Sequence, residues 1–348
     1  MSRSKAVYKN ILVFLFALIF SLSVFEFVSR KWLHLGNDYP NSSLWYKEKW
    51  LENHETPQVT LTGYGIDKYD PLLGWTLKEN LRNVDAGGWK VSSNSKGVRG
   101  VEEHSIIKSK KLRILAIGDS FTFGECVNDT ETFPYYLGLA LDSAEVINLA
   151  VHGYGQDQAL LRLENEGLKY KPDVVVMGFL NDDMNRNRMW FKDYAKPYFE
   201  AANGPLTLKG TPVIKPEKLL NIPRIKSISL LAALISVKTT QDFDDYTNQL
   251  CFKIVERISY LCDSINAPLV LVYMPWKEEC IDNRSWHPLL DSISLKKQAL
   301  VLDPTAAMHT FLMKEKVPEE HFNCHYSPQL NNIIGKEIET FLRTTNRM

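Results

Sequence analysis

Five short apolar runs recur along the chain from Arg113 onward: Arg113–Ile117, Glu145–Leu149, Asp173–Phe179, Pro268–Met274 and Ala299–Asp303. Each is too short for a buried helix and reads as a buried strand. Helical patterns separate several of them. Residues 158–170 place Leu160, Leu163 and Leu168 near one face. Residues 246–265 carry Leu250, Ile254, Ile258, Leu261 and Ile265 at helical spacing, and residues 328–342 carry Leu330, Ile333, Ile334, Ile338, Phe341 and Leu342. The last helix has a marked start, with Ser327 as N-cap and Pro328 at its first position. Strand–helix alternation of this kind predicts a parallel sheet covered by helices on both faces, a three-layer α/β/α fold.

All strands of a parallel sheet end at one edge, and ligands of open α/β sheets bind there. The first run ends in Gly118-Asp119-Ser120 and the second in Asn148-Leu-Ala-Val-His152-Gly153-Tyr154-Gly155. The third ends in Gly178-Phe-Leu-Asn181-Asp182-Asp183, and His321-Phe-Asn323-Cys324-His325-Tyr-Ser327-Pro328 follows the fifth. Serine, glycine-rich turn, asparagine and histidine are therefore expected in one crevice, which is the set that acyl transfer requires. Serine attacks a carbonyl, and histidine takes its proton and returns it to the leaving group. The backbone N–H groups of Ser120 and Gly153 and the amide of Asn181 are the expected oxyanion donors. The plain alternative for Ser120 is a helix N-cap. Asp119 reads as a residue that caps the turn, His152 as pocket lining with a second base as its alternative, and His321 as a poorer match to the base than His325.

Composition excludes several other functions. The 41 basic and 41 acidic residues cancel, and no basic block offers a nucleic-acid surface. The five cysteines have no metal-ligand spacing, so neither metal nor organic cofactor is expected. Ile11 to Val28 is apolar apart from Ser21, Ser23 and Glu26, long enough to span a membrane. No small-x-small cleavage site follows it, which favours an uncleaved single-pass anchor over a signal peptide. Basic residues flank both ends, so they set orientation weakly.

The expected organisation is an anchor at 1–34, a polar, Trp-rich, irregular extension at 35–110 packed on a larger body, and that body at 111–348. Within the body the pattern lapses over 184–245, read as an insertion beside the strand ends. Lys196–Glu200, Asn203-Gly204 and Leu206–Leu208 suggest a hairpin there.

From about Tyr64 to the C-terminus the chain resembles the SGNH (GDSL-type) hydrolases. Gly118-Asp119-Ser120 matches the nucleophile block, Gly153 the second block, Asn181-Asp182 the third, and His325 the base. Stretches such as Asn94-Ser-Lys-Gly-Val-Arg-Gly100, Gly118-Asp-Ser-Phe-Thr-Phe-Gly124 and Lys196-Pro-Tyr-Phe199 are similar to those of bacterial membrane-anchored members. The resemblance implies a flavodoxin-like five-stranded sheet. It also implies a serine esterase acting on an O-acyl, chiefly O-acetyl, ester of an envelope or secreted carbohydrate, with the domain outside the cytoplasm. An O-acyltransferase using the same residues and a non-catalytic binding or scaffold protein are the alternatives. The family usually places an Asp two or three residues before the base, where this chain has Phe322 and Asn323. Asn323 is the expected orienter of His325, with a backbone carbonyl or one of Glu319, Glu320, Asp182 and Asp183 as substitutes. Relatives often carry glycine where this chain has Cys126 and Cys324. Two small buried thiols are the plainer expectation there, and a bridge across the site is the alternative in an oxidising compartment.

Overall fold

The computed structural model describes residues 2–32, 42–54, 61–108, 112–142, 144–201, 204–229, 231, 240–285, 288–296 and 298–345. The expected boundaries at 34/35 and 110/111 and the turn residue Asn203 lie outside the described residues.

The apolar runs form strands β1 (Leu112–Ile117), β2 (Ala144–Asn148), β3 (Val174–Phe179), β4 (Leu269–Tyr273) and β5 (Leu300–Leu302). They make one parallel five-stranded sheet in the order β5-β4-β3-β1-β2. That order is the doubly wound one whose switch point lies between β1 and β3, the pair that carries Ser120 and Asn181 at its ends. Register runs straight across the sheet, with Leu115 opposite Ile147 and Val175, and Met177 opposite Leu271.

Side chains alternate between two cores, as the pleat requires. Leu115, Ile117, Val175, Met177, Leu271 and Tyr273 enter one, and Ile114, Val174, Val176, Val270 and Val272 the other. Helices α5 (Gln156–Asn165) and α7 (Thr240–Ser264) cover the first core through Leu160, Leu163, Leu250, Ile254 and Ile258. Helices α4 (Phe133–Ala140), α8 (Thr305–Leu312) and α9 (Pro328–Thr344) cover the second. The sandwich is the expected three-layer α/β/α arrangement.

Three local readings are corrected. The segment 158–170 is not one helix: α5 stops at Asn165, and a 3-10 turn covers Gly167–Tyr170. Gly167 sits so close to the sheet that a Cβ there would meet Leu115 Cδ2 at 2.7 Å, so the chain bends to dock rather than continuing straight. The extension also contains a helix, α2 (Ser43–Asn53), whose Ser42 N-cap accepts from Trp45 N at 3.2 Å and whose Trp50 and Leu51 are buried. Cys126 and Cys324 are not two separate thiols but a disulfide, with Cα atoms 6.2 Å apart; Cys251, Cys262 and Cys280 are free and buried.

The rest of the extension is two antiparallel pairs, Asp67–Asp70 with Gly74–Leu77 and Val84–Asp85 with Lys90–Val91. Ile66, Leu77, Trp89 and Val91 pack with Phe123 and Ala150, directly behind the two loops that carry Ser120 and Gly153. The insertion holds the antiparallel pair Tyr198–Glu200 and Thr207–Lys209. It is fixed to α5 by a fully buried Lys196–Asp157 ion pair, whose ammonium is also bonded to the carbonyls of Arg186, Met189 and Pro197. At the N-terminus, α1 (Ser2–Trp32) includes Val7–Lys31, a stretch long and apolar enough to cross a membrane, exposed along its apolar part, with Glu26 and Ser29 near its end covered; a signal sequence has the same character.

Candidate active site

Gly118 ends β1 with φ +146°, and a Cβ there would lie 2.5 Å from Thr122 Oγ1. Only glycine fits that turn. Asp119 then caps the short helix α3 (Ser120–Phe123) by accepting from Phe121 N at 3.1 Å, and Gly124 closes it in the left-handed region. Ser120 is thus presented at the first helical position on the C-terminal edge of the sheet. Arg99, buried and from the extension, donates to the carbonyls of Phe123, Gly124 and Val127 and pairs with Asp129 at 3.1 Å. It braces the loop that follows the serine.

His325 arrives from the other end of the chain, and its Nε2 lies 2.8 Å from Ser120 Oγ. Its loop is fixed on both sides. Tyr326 is buried and donates to the Pro275 carbonyl at 2.6 Å, while Ser327 caps α9 by accepting from Leu330 N at 3.3 Å. The imidazole packs on Phe121, 4.6 Å between ring centres. Burial holds its pKa below the ordinary histidine value, opposed by the Glu125 and Asp119 carboxylates and reinforced by Arg186 and His152. A neutral imidazole next to a serine hydroxyl is the protonation state a general base requires.

The other candidates fall as follows. Gly153 adopts φ +73°, and a Cβ there would meet Asp193 Oδ2 at 1.8 Å. The N–H groups of Ser120 and Gly153 make no hydrogen bond to another described residue. Asn181 opens α6 (Asn181–Arg186), and its Nδ2 donates to Tyr273 Oη at 3.0 Å, which donates in turn to Glu279 at 2.5 Å. Asp119 is buried and lies 3.4 Å from Arg186, whose guanidinium also binds Asp182 and Asp183. Burial raises the Asp119 pKa against that pairing.

Asn323 makes no hydrogen bond to His325. It ends the 3-10 turn at Pro318–Phe322 in a helical conformation that leaves its side chain exposed, and it makes no hydrogen bond among the described residues. The atom next to His325 Nδ1 is instead Cys324 Sγ, at 3.4 Å. Glu319 and Glu320 are exposed, and Asp182 and Asp183 are engaged by Arg186. His321 supports the loop through Ser327 Oγ at 2.8 Å. His152 is held by Asp67, Nε2 to Oδ2 2.8 Å, and that partner raises its pKa to about 9 against the effect of burial.

Sequence reasoning missed Asp67, Tyr64, Glu125 and Arg186. Arg186 was within reach, since it stands three and four residues after Asp183 and Asp182, the spacing of helical ion pairs. Asp67 is 85 residues from His152, and no local signal joins them. Glu125, Cys126, Cys324 and His325 present ligand atoms within 4.8 Å of one another, but the two sulfurs are bonded to each other and offer no thiolate to a metal.

Phe121, Trp276, Phe322 and His325 line a cavity of about 200 Å³ beside the dyad. A larger one of about 890 Å³, between Arg99, His104, Tyr135 and Glu145, includes neither Ser120 nor His325 in its walls.

No family profile and no curated protein matches the sequence. Among solved structures, the chain is similar to a protein assigned to the G-D-S-L lipolytic family from Desulfitobacterium hafniense (17% identity, TM-score 0.37, 66% of this chain and 99% of that one). It is also similar to an acetylxylan esterase from Geobacillus stearothermophilus (16%, TM-score 0.39, 68% and 94%). A two-domain esterase active on acetylated mannans matches at 11% and TM-score 0.42 over 68% of this chain, which spans half of that protein.

Proposed function

We propose that this chain is an SGNH-type serine esterase that removes an O-acyl group, an acetyl in the first instance, from an envelope or secreted carbohydrate. The observation that carries the reading is the 2.8 Å contact between His325 Nε2 and Ser120 Oγ at the C-terminal edge of the sheet. Ser120 Oγ attacks the acyl carbon and His325 Nε2 takes its proton. The N–H groups of Ser120 and Gly153 and the Asn181 amide hold the oxyanion. His325 returns the proton to the departing sugar oxygen, and water attacks the acyl-serine by the same route.

In this reading α1 anchors an extracytoplasmic body, and the Cys126–Cys324 bridge supports an oxidising compartment. The anchor at 1–34, the extension at 35–110 and the body at 111–348 with its insertion at 184–245 are then the working parts.

A fluorophosphonate probe tests the reading. It should label the full chain at Ser120 and leave Ser120→Ala unlabelled, and a chromogenic acetyl ester should give a burst of one equivalent. Labelling that survives Ser120→Ala, or a parent chain that neither labels nor bursts, overturns it. Turnover that requires a sugar hydroxyl acceptor would assign the transferase chemistry instead.

A further inference from the structure

A third catalytic group in a serine–histidine site does two jobs. It accepts a hydrogen bond from Nδ1–H, fixing the tautomer, and it places negative charge beside the imidazolium that forms. Asn323 does neither here. Resting on the esterase reading above, we propose that the two jobs are divided: the Cys324 sulfur of the disulfide fixes the tautomer of His325, and Glu125, brought alongside by the same disulfide, supplies the charge.

The covalent geometry is the first support. Glu125 immediately precedes Cys126, and Cys324 immediately precedes His325. Closing Cys126–Cys324 therefore sets Glu125 and His325 side by side although the cysteines are 198 residues apart. A carboxylate oxygen of Glu125, both sulfurs and a ring nitrogen of His325 all lie within 4.8 Å of one another. Cys126 adopts φ +68°, so this position turns the chain in the left-handed region where glycine is easiest. The cysteine accepts that conformation and carries the bridge.

The second support is the proton. A disulfide sulfur has no hydrogen to give, so a hydrogen bond across its 3.4 Å contact with Nδ1 carries the hydrogen on Nδ1. Nε2 is then the unprotonated nitrogen, and it is the one facing Ser120 Oγ. Sulfur is a weak acceptor and carries no charge, so the charge must come from elsewhere.

Glu125 is placed to provide it. It is 8% exposed, and the Tyr64 hydroxyl from the extension donates to its Oε1. It makes no hydrogen bond to His325 and acts through space. Other charges also face this ring: Asp119 and Arg186 from the nucleophile side, His152 from the loop after β2, and Lys277 and Glu278 across the cavity. Of the carboxylates, Glu125 does most to hold the His325 pKa up against burial. During attack, the serine proton moves to Nε2, the ring becomes cationic, and the Glu125 side chain lies beside it. It is a positioning residue and touches no substrate.

The test is the titration of His325 in the full-length chain in micelles, followed by NMR of histidine-labelled protein and assigned with His325→Gln. This readout needs no turnover, so it is separate from the probe labelling that tests the esterase reading. Glu125→Gln should lower the His325 pKa by about 1 unit, the low end of the effect of an opposite charge at this range. In a chain that turns over, kcat should fall about tenfold with KM little changed, one pKa unit being tenfold, and the acidic limb of kcat/KM should move to lower pH. Glu125→Asp should restore part of both, and Glu320→Gln, exposed on the base's side, should change neither. Should Glu125→Gln fail to fold, the double variant Cys126→Ser/Cys324→Ser reports the same coupling, lowering the His325 pKa by releasing Glu125 from the ring. A His325 pKa unmoved in the folded variants overturns the proposal, even where Ser120 labels normally.

Discussion

Two histidines stand near the serine, and they are built in opposite ways. His325 is half-buried without a hydrogen-bonded carboxylate, so its pKa is lowered and it faces Ser120 as a neutral ring. His152 is the more deeply buried of the two, but Asp67 binds it at 2.8 Å and raises its pKa to about 9. The acid–imidazole pair that would complete a triad is therefore present on the other histidine. The difference teaches that a carboxylate bonded to a histidine can hold it protonated, which is not the state a general base requires. The ion pair keeps His152 protonated and makes it a strut between the extension and the loop of Gly153. Tyr64 lies edge-on to His152, 5.2 Å between ring centres, and donates to Glu125, so one extension residue touches the surroundings of both histidines.

The sharpest way to break this comparison is to delete each ring. His325→Ala and Ser120→Ala should each lower kcat by about 10⁵–10⁶, as in a serine protease whose serine and histidine act as one unit. His152→Ala should keep most of its turnover in whatever fraction stays folded. Steady-state kinetics normalised to folded protein checks this, and equal losses from the two histidines would erase the distinction. Next in size is Asn181→Ala, which should cost about 10²–10³ in kcat if its amide is one oxyanion donor. A crystal structure with a bound phosphonate in which Asn181 Nδ2 stays on Tyr273 and away from the phosphonyl oxygen would refute that role.

The same contrast marks what was legible in the sequence. The strands, the capped last helix and the order of motifs are local signals, and each of the five runs became a strand of the central sheet. Ser120 and His325 could be placed together because a parallel sheet gathers strand ends at one edge. The partners of the histidines could not be placed. Asp67 reaches the site from a short extension strand and Tyr64 from the bend before it, and Glu125 gains its position from a disulfide whose pairing no spacing encodes. The break after Asn165 depends on how closely Gly167 approaches Leu115, a tertiary distance with no periodic trace.

Stability should separate the histidines by pH. The folded-state pKa of His152 is raised, from 6.5 to about 9. Its contribution to stability is fully present below pH ~6.5 and is lost as pH rises through about 9. His325 has the reverse sign: its folded pKa is lowered, so it favours the folded state above the unfolded value and opposes it as pH falls. His152→Ala also leaves Asp67 buried without its partner, a loss of about 3–5 kcal/mol at neutral pH. Denaturant titrations at a series of pH values check both. The gap between parent and His152→Ala should narrow toward pH 9, and a gap that stays flat between pH ~6.5 and 9 would mean His152 is neutral in the fold.

The smallest effect is the most discriminating for the base. If the site simply lacks an acid before His325, placing one at Asn323 should raise kcat. The structure argues otherwise. Asn323 is exposed and makes no hydrogen bond among the described residues, while Cys324 Sγ occupies the Nδ1 side of His325. A carboxylate at 323 would stand in water, where exposed charges interact by about 1 kcal/mol or less. Asn323→Asp should therefore change kcat by less than about fivefold, within that energy. The remaining effect should shrink further in high salt, because exposed charges are screened. Glu125→Gln should be the less salt-sensitive of the two, since its charge is buried. An Asn323→Asp enzyme that gains a hundredfold in kcat would show that the loop can turn its side chain inward and that the histidine had been working without an acid.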